Sequence, residues 1–173
     1  MDILKFLNMA EGLEGNLATL YGKFSKDFDP AEVSEMFRKL SQDEESHREI
    51  VKFEKKLVLR NRGEFKEISL DISGLSEMLA KIDELIKASQ PLTPDQAIIF
   101  AIDCERSAAE LHFRKAITIS NPKIAGLMKN LGQKDKDHFS FLIKVAKDRG
   151  IPSEIIPEQI DVPRIRRQGR RVK

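Results

Sequence analysis

The chain has 173 residues, 40% hydrophobic and 34% charged, with a formal net charge of +2, which suits one domain with its own core and heavily charged outer faces. No apolar run approaches the roughly 20 residues of a membrane span, and Asp2, Lys5 and Glu11 break up the N-terminal apolar positions in a way no secretory signal does. A cytoplasmic location is therefore the expectation. The single cysteine, Cys104, excludes an intrachain disulfide and any cysteine-ligated zinc or iron centre, and reads as a small buried filler of a helix interface.

The first predicted helix covers about 2–24, where steps of three and four pick out Ile3, Leu7, Ala10, Glu14, Leu17, Tyr21 and Phe24 on one face. Asp29-Pro30 with Glu32 opens a second helix, 30–61, with the stripe Val33, Phe37, Leu40, Glu44, His47 and Val51, and Gly63 follows its end. The stretch 62–93 is a long crossover carrying a short amphipathic helix near 74–88 (Leu75, Met78, Leu79, Ile82, Leu85, Ile86). Thr93-Pro94 with Gln96 opens a helix over 94–119, with Ile98, Ala101, Glu105, Ala108 and His112 on its inner face. Asn121-Pro122 opens the last, 122–149, with Ile124, Leu127, Leu131, Asp135, His138, Leu142 and Val145, and Gly150 closes it. Short connections pair these as two antiparallel hairpins. The predicted fold is all-α, a four-helix bundle over 1–150, followed by a basic tail over 151–173.

Each apolar seam is interrupted mid-helix by residues that repeat one spacing. Glu14 is followed at +30 by Glu44 and at +33 by His47; Glu105 is followed at +30 by Asp135 and at +33 by His138. Residues three apart share a helix face, so each carboxylate-x-x-His pair can reach one ion. The repeat extends to Leu17, Ala18, Leu20 and Tyr21 after Glu14, matched by Ala108, Ala109, Leu111 and His112 after Glu105. Leu40 and Gln42 likewise precede the first pair as Leu131 and Gln133 precede the second. The chain reads as a duplicated helical hairpin. Four carboxylates and two imidazoles make up the inventory of a di-iron or di-manganese site in a helix bundle, and facing one core they would each cost several kcal/mol unless paired or bound to metal.

Tyr21 and His112 each stand seven residues after their helix's Glu, two turns along the same face. Three roles are open: hydrogen-bonding a ligand carboxylate to orient it, packing at the end of the bundle, or, for His112, ligating directly as a third nitrogen. Glu11, Asp43, Glu45, Asp103, Glu110 and Asp137 read as solvated outer faces. Gly12 and Gly15, unusual inside a helix, are read as admitting close approach of another helix or subunit. After Asp161 the tail carries Arg164, Arg166, Arg167, Arg170, Arg171 and Lys173 with no acid. That is either a solvated tail or a dock for an acidic partner; nothing resembles a nucleic-acid-binding fold.

These segments resemble the ferritin-like superfamily, and most closely its rubrerythrin branch. The resemblance is carried by Glu14 to Tyr21 (EGNLATLY), Asp43 to His47 (DEESH), Glu105 to His112 (ERSAAELH) and Lys134 to His138 (KDKDH), and covers about residues 1–149. It implies a metal site of Glu14, Glu44, His47, Glu105, Asp135 and His138 holding two iron ions, with manganese as the alternative. His47 and His138 would each cap one metal, and Glu44 and Asp135 would serve single metals or bridge. The chain departs from the pattern at three points. Ala108 stands where the best-known rubrerythrins carry an extra ligand Glu, Asp135 replaces the usual Glu, and one cysteine cannot build the rubredoxin module. The implied activity is a redox reaction with hydrogen peroxide or oxygen, fed by an external electron-donor protein. The alternative is a non-catalytic iron-binding, iron-handling protein, and a third reading is a helical interaction module with a structural site. A homodimer is expected from the glycines of the first helix and the partly apolar crossover.

Overall fold

The computed structural model describes residues 3–29, 31–60, 73–118 and 122–156, and every regular element among them is helical. The helices are α1 (Ile3–Asp27), α2 (Ala31–Arg60), α3 (Ser73–Lys87), α4 (Pro94–Thr118) and α5 (Pro122–Asp148), with one 3-10 turn at Ser153–Ile155. No helix among the described residues is long and apolar enough to cross a membrane.

Boundaries follow local chemistry. Thr93 and Gln96 form a reciprocal capping box: the Thr93 backbone N–H donates to Gln96 Oε1 (2.9 Å), and the Gln96 N–H donates to Thr93 Oγ1 (3.3 Å). At the far end of α5, Gly150 takes φ +74°. Its N–H donates to the Lys147 carbonyl and that of Ile151 to the Ala146 carbonyl, both at 2.9 Å, which closes the helix in a Schellman turn. The signals at Pro30, Gly63 and Asn121 fall outside the described residues, as does the tail from residue 157. α1 runs three residues beyond its predicted end at 24. Phe24 stacks on Phe28 (5.6 Å between ring centres) and both rings meet Phe37 of α2, so the last turn is held by aromatic packing that one helix's periodicity does not reveal.

α1 packs along α2 and α4 along α5, giving the two hairpins, and α3 lies against α1 and touches α4. Ile82 of α3 is fully buried, with Met78, Leu79, Leu85 and Ile86 packed beside it, so the crossover helix covers the core with these residues of the predicted stripe; the Leu75 side chain lies outside the described residues. A Cβ on Gly15 would come within 3.1 Å of Arg48 Nε, so this glycine admits a side chain of α2; Gly12 faces open space.

The hydrophobic interior has two parts. One gathers Leu17, Phe24, Phe37, Ile98, Ile102 and Leu142 with their neighbours, including Cys104 and, past the end of α5, Ile151 and Ile156. The other gathers Ile3, Phe6, Leu7, Val51, Ile124 and Met128. Along α1, α2 and α5 the chain passes from one cluster to the other through Glu14, through Glu44 and His47, and through Asp135. The polar residues thus form a layer between two dry clusters, and each apolar side chain buried there contributes roughly 1.5–3 kcal/mol toward holding that layer out of water.

Candidate metal centre

Each hairpin supplies one carboxylate from its first helix and a carboxylate–His pair from its second. Glu14, Glu44, His47, Glu105 and Asp135 are at most 5% exposed, and the His138 side chain is 12% exposed. The six come together as two sets. One ligand atom each from Glu14, Glu44, His47 and Asp135 lies within 4.8 Å of the others, and the same holds for Glu44, Glu105 and His138. Glu44 belongs to both sets. Asp135 belongs to one, so of the two carboxylates that could have been shared only Glu44 is.

The contacts are close. His47 Nδ1 lies 3.2 Å from Glu44 Oε2 and 3.6 Å from Glu14 Oε2. His138 Nδ1 lies 2.9 Å from Glu44 Oε1 and 3.4 Å from Glu105 Oε2. The two rings stack with centres 5.6 Å apart. Tyr21 reaches across to the other hairpin, where its O–H donates to Glu105 Oε1 at 2.6 Å. His112, fully buried, places Nδ1 2.6 Å from Asp135 Oδ2 and Nε2 3.6 Å from Glu14 Oε1.

One participant was read from sequence as a solvated surface acid. Asp43, with its side chain 60% exposed, sits 3.4 Å from His138 Nε2 through Oδ2. It therefore lies on the far side of the imidazole whose Nδ1 faces the buried carboxylates, where a carboxylate orients a ligating histidine. Its one sequence signal is adjacency to Glu44; the corresponding position before Asp135 is Lys134, so the duplication is not symmetric here. The other outer-face acids with described partners pair locally, Glu45 with Arg48, Asp103 with Arg106 and Asp137 with Gln133, while Glu11 meets Lys55 at 2.8 Å.

Charge in this layer is balanced by protons when no metal is bound. Burial pushes the Glu14 carboxyl up to about 7 and carries Asp135 well above the usual carboxylate range. Burial and the Glu105 charge also work against ionised Glu44, but the imidazoles of His138 and His47 beside it prevail and hold it low. Burial disfavours the His47 imidazolium, yet Glu14 and Glu44 raise it to about 10; Glu105 and Glu44 do the same for His138, to about 11. His112 is held below its ordinary value, chiefly by burial. Burial and then the Glu105 charge keep the Tyr21 hydroxyl protonated, hence a donor.

These atoms suit a metal. Both oxygens of Glu14, Glu44 Oε1, Glu105 Oε2, His112 Nε2 and His138 Nδ1 are buried without an aligned hydrogen bond. Glu44 Oε1 and His138 Nδ1, 2.9 Å apart, offset one another by charge; a buried oxygen with no such neighbour costs about 1–3 kcal/mol. Carboxylate oxygens and imidazole nitrogens that converge in a buried layer are a donor set for a divalent cation. Loading must first displace the protons. At pH 7 we expect about two protons released per chain from the imidazoles alone, with apparent affinity rising as pH increases toward 10. A pH indicator in dilute buffer reads this directly, and metal uptake without proton release would contradict it.

Comparison of the chain with protein-family models, with curated proteins and with solved structures finds no match, so the case for a metal stands on the atoms of this site.

Proposed function

We propose that the two hairpins form a ferritin-like four-helix bundle around a dinuclear iron centre, and that the protein is a rubrerythrin-like oxidoreductase reducing hydrogen peroxide or oxygen. The observation that carries this reading is the pair of buried ligand sets joined by Glu44. Two neighbouring positions that share one carboxylate suit a two-electron couple better than a single structural ion does.

Two iron ions held there would supply that couple, passing between diferrous and diferric states. The rest is work for the chain. Glu44 spans both positions and keeps them adjacent. Tyr21 donates to Glu105 and fixes which of its oxygens faces inward. His112 Nδ1 pairs with Asp135 Oδ2 at 2.6 Å and anchors that short side chain. Asp43 holds His138 from the solvent side with Nδ1 directed inward. The two apolar clusters exclude water from above and below, while the partly exposed edge at His138 gives small oxidants access. Ala108, buried in the core, offers no further carboxylate in the turn after Glu105. With one cysteine, this stretch of chain builds no cysteine-ligated electron carrier, so the proposal takes electrons from a separate donor protein.

A second reading is iron handling. Asp43 puts an exposed carboxylate against His138 at the edge of the site, where it would also attract Fe(II). Stopped-flow mixing of the diferrous protein separates the two. We expect a diferric absorption band, formed faster with hydrogen peroxide than with oxygen, and repeated turnover when an external reductant is added. Oxidation that stops after about two Fe(II) per chain favours iron handling. No band with either oxidant defeats the redox reading.

A further inference from the structure

We propose that metal ions enter this site by one edge, between Asp43 and His138, and reach the Glu14 position only by way of the Glu105 position, with Lys134 closing the matching edge beside His47. The route rests on the dinuclear reading above and adds an order of filling to it.

The four carboxylates of the site are at most 1% exposed. Solvent meets the six residues only at the two stacked imidazoles, with 12% of the His138 side chain exposed and 6% of that of His47. The dry clusters close the layer above and below, so the way in lies between α2 and α5. These helices run antiparallel, Val51 and Val58 of α2 packing with Leu131 and Ile124 of α5. Four residues forward along α2 therefore lead to a level four residues back along α5. Asp43 faces His138, so His47 faces the level of Lys134. The groove that Val33 and Met36 line with Asp148 and Val145 keeps the same register.

The two imidazoles thus meet opposite charges at their outer edges. Asp43 Oδ2 lies 3.4 Å from His138 Nε2, and the level of His47 carries the exposed Lys134. In water, a unit charge about 6 Å from a divalent cation changes its local concentration roughly tenfold, upward at an acid and downward at an ammonium. The duplication breaks here, with Asp43 before Glu44 and Lys134 before Asp135, and the break sorts the edges into entrance and barrier.

Glu44 supplies the passage. Its Oε1 lies 2.9 Å from His138 Nδ1 and its Oε2 lies 3.2 Å from His47 Nδ1. An ion taken up by Glu44, Glu105 and His138 can exchange one Glu44 oxygen for the other and come within reach of Glu14 and Asp135. The outer position is filled first and passes its ion inward, release runs in reverse, and a filled outer position locks the inner ion in. Independent positions would behave oppositely. Two cations sharing one carboxylate repel, so filling one would hasten loss from the other.

Cobalt(II) is the probe. Wild-type protein filled with radiolabelled Co(II) is mixed with excess unlabelled Co(II), and bound label is counted over time after rapid desalting. Two phases are expected. The slower ion should exchange at least about tenfold more slowly than the one ion of Glu105→Gln, because it leaves only while the outer position is vacant. Circular dichroism checks the fold of that variant. Lys134→Glu changes no ligand and should abolish the slow phase by opening the second edge; it decides the matter should Glu105→Gln not fold. Asp43→Asn should slow Co(II) uptake at both positions about threefold to tenfold at low salt, an effect lost in about 1 M salt. A carboxylate that merely orients His138 would alter release instead. Two bound ions whose slower exchange equals or exceeds that of Glu105→Gln, or is unchanged in Lys134→Glu, would overturn the proposal and leave the dinuclear site standing. Uptake indifferent to Asp43→Asn would do the same. Absence of cobalt uptake overturns both.

Discussion

Replacing Glu44 with glutamine should abolish both metal positions at once. No other single ligand should do so, because Glu44 alone belongs to both sets. Glu105→Gln should instead leave the Glu14 set intact and reduce the stoichiometry from about two ions per chain to one, and Glu14→Gln should spare the Glu105 side. An affinity loss larger than the 10–100-fold of an outer-shell change is expected at each position in Glu44→Gln. Metal analysis after desalting, with calorimetric titration, measures it. The fold should survive, since His47 and His138 are held charged by Glu44 among others and, without it, can release their protons instead of remaining as unpaired buried cations. A Glu44→Gln protein that retains one ion at wild-type affinity would show that the carboxylate is not shared.

The second large effect is thermal. An ion that binds the folded chain and not the unfolded one adds about 4 kcal/mol at a free concentration 1,000 times its Kd. For a domain of this size each kcal/mol moves Tm by about 2–4 °C. Loading one position should therefore raise Tm by about 8–16 °C, and a strong chelator should reverse it. The physical source is the same set of orphaned atoms: the metal-free site keeps its buried carboxylates apart with protons and unaligned contacts, and the ion replaces these with bonds. Scanning calorimetry with and without chelator gives the shift. A Tm indifferent to metal would mean that the polar layer is satisfied some other way.

Much of this site can be read along the chain because helices translate spacing into geometry. Glu44 with His47, and Asp135 with His138, had to share a face whatever their surroundings, and an apolar stripe broken mid-helix by acids and imidazoles required a polar layer inside the core. The helix ends were equally local: the Thr93–Gln96 box and Gly150 are settled by neighbours within four residues. What helix periodicity cannot supply is how far one helix is displaced along its neighbour, because the displacement comes from side-chain packing between elements distant in sequence. That displacement alone decided that Glu44 is shared and Asp135 is not, and that the exposed Asp43 stands behind His138. It also gives Glu105 a partner that spacing does not reveal. In the folded protein it accepts the Tyr21 hydroxyl, so Glu105→Ala orphans a buried phenol at a cost of about 1–3 kcal/mol. The ligand types and their faces were determined by sequence, where the helix repeat acts. Their partners were decided by tertiary structure, where hydrogen bonds cross from one hairpin to the other.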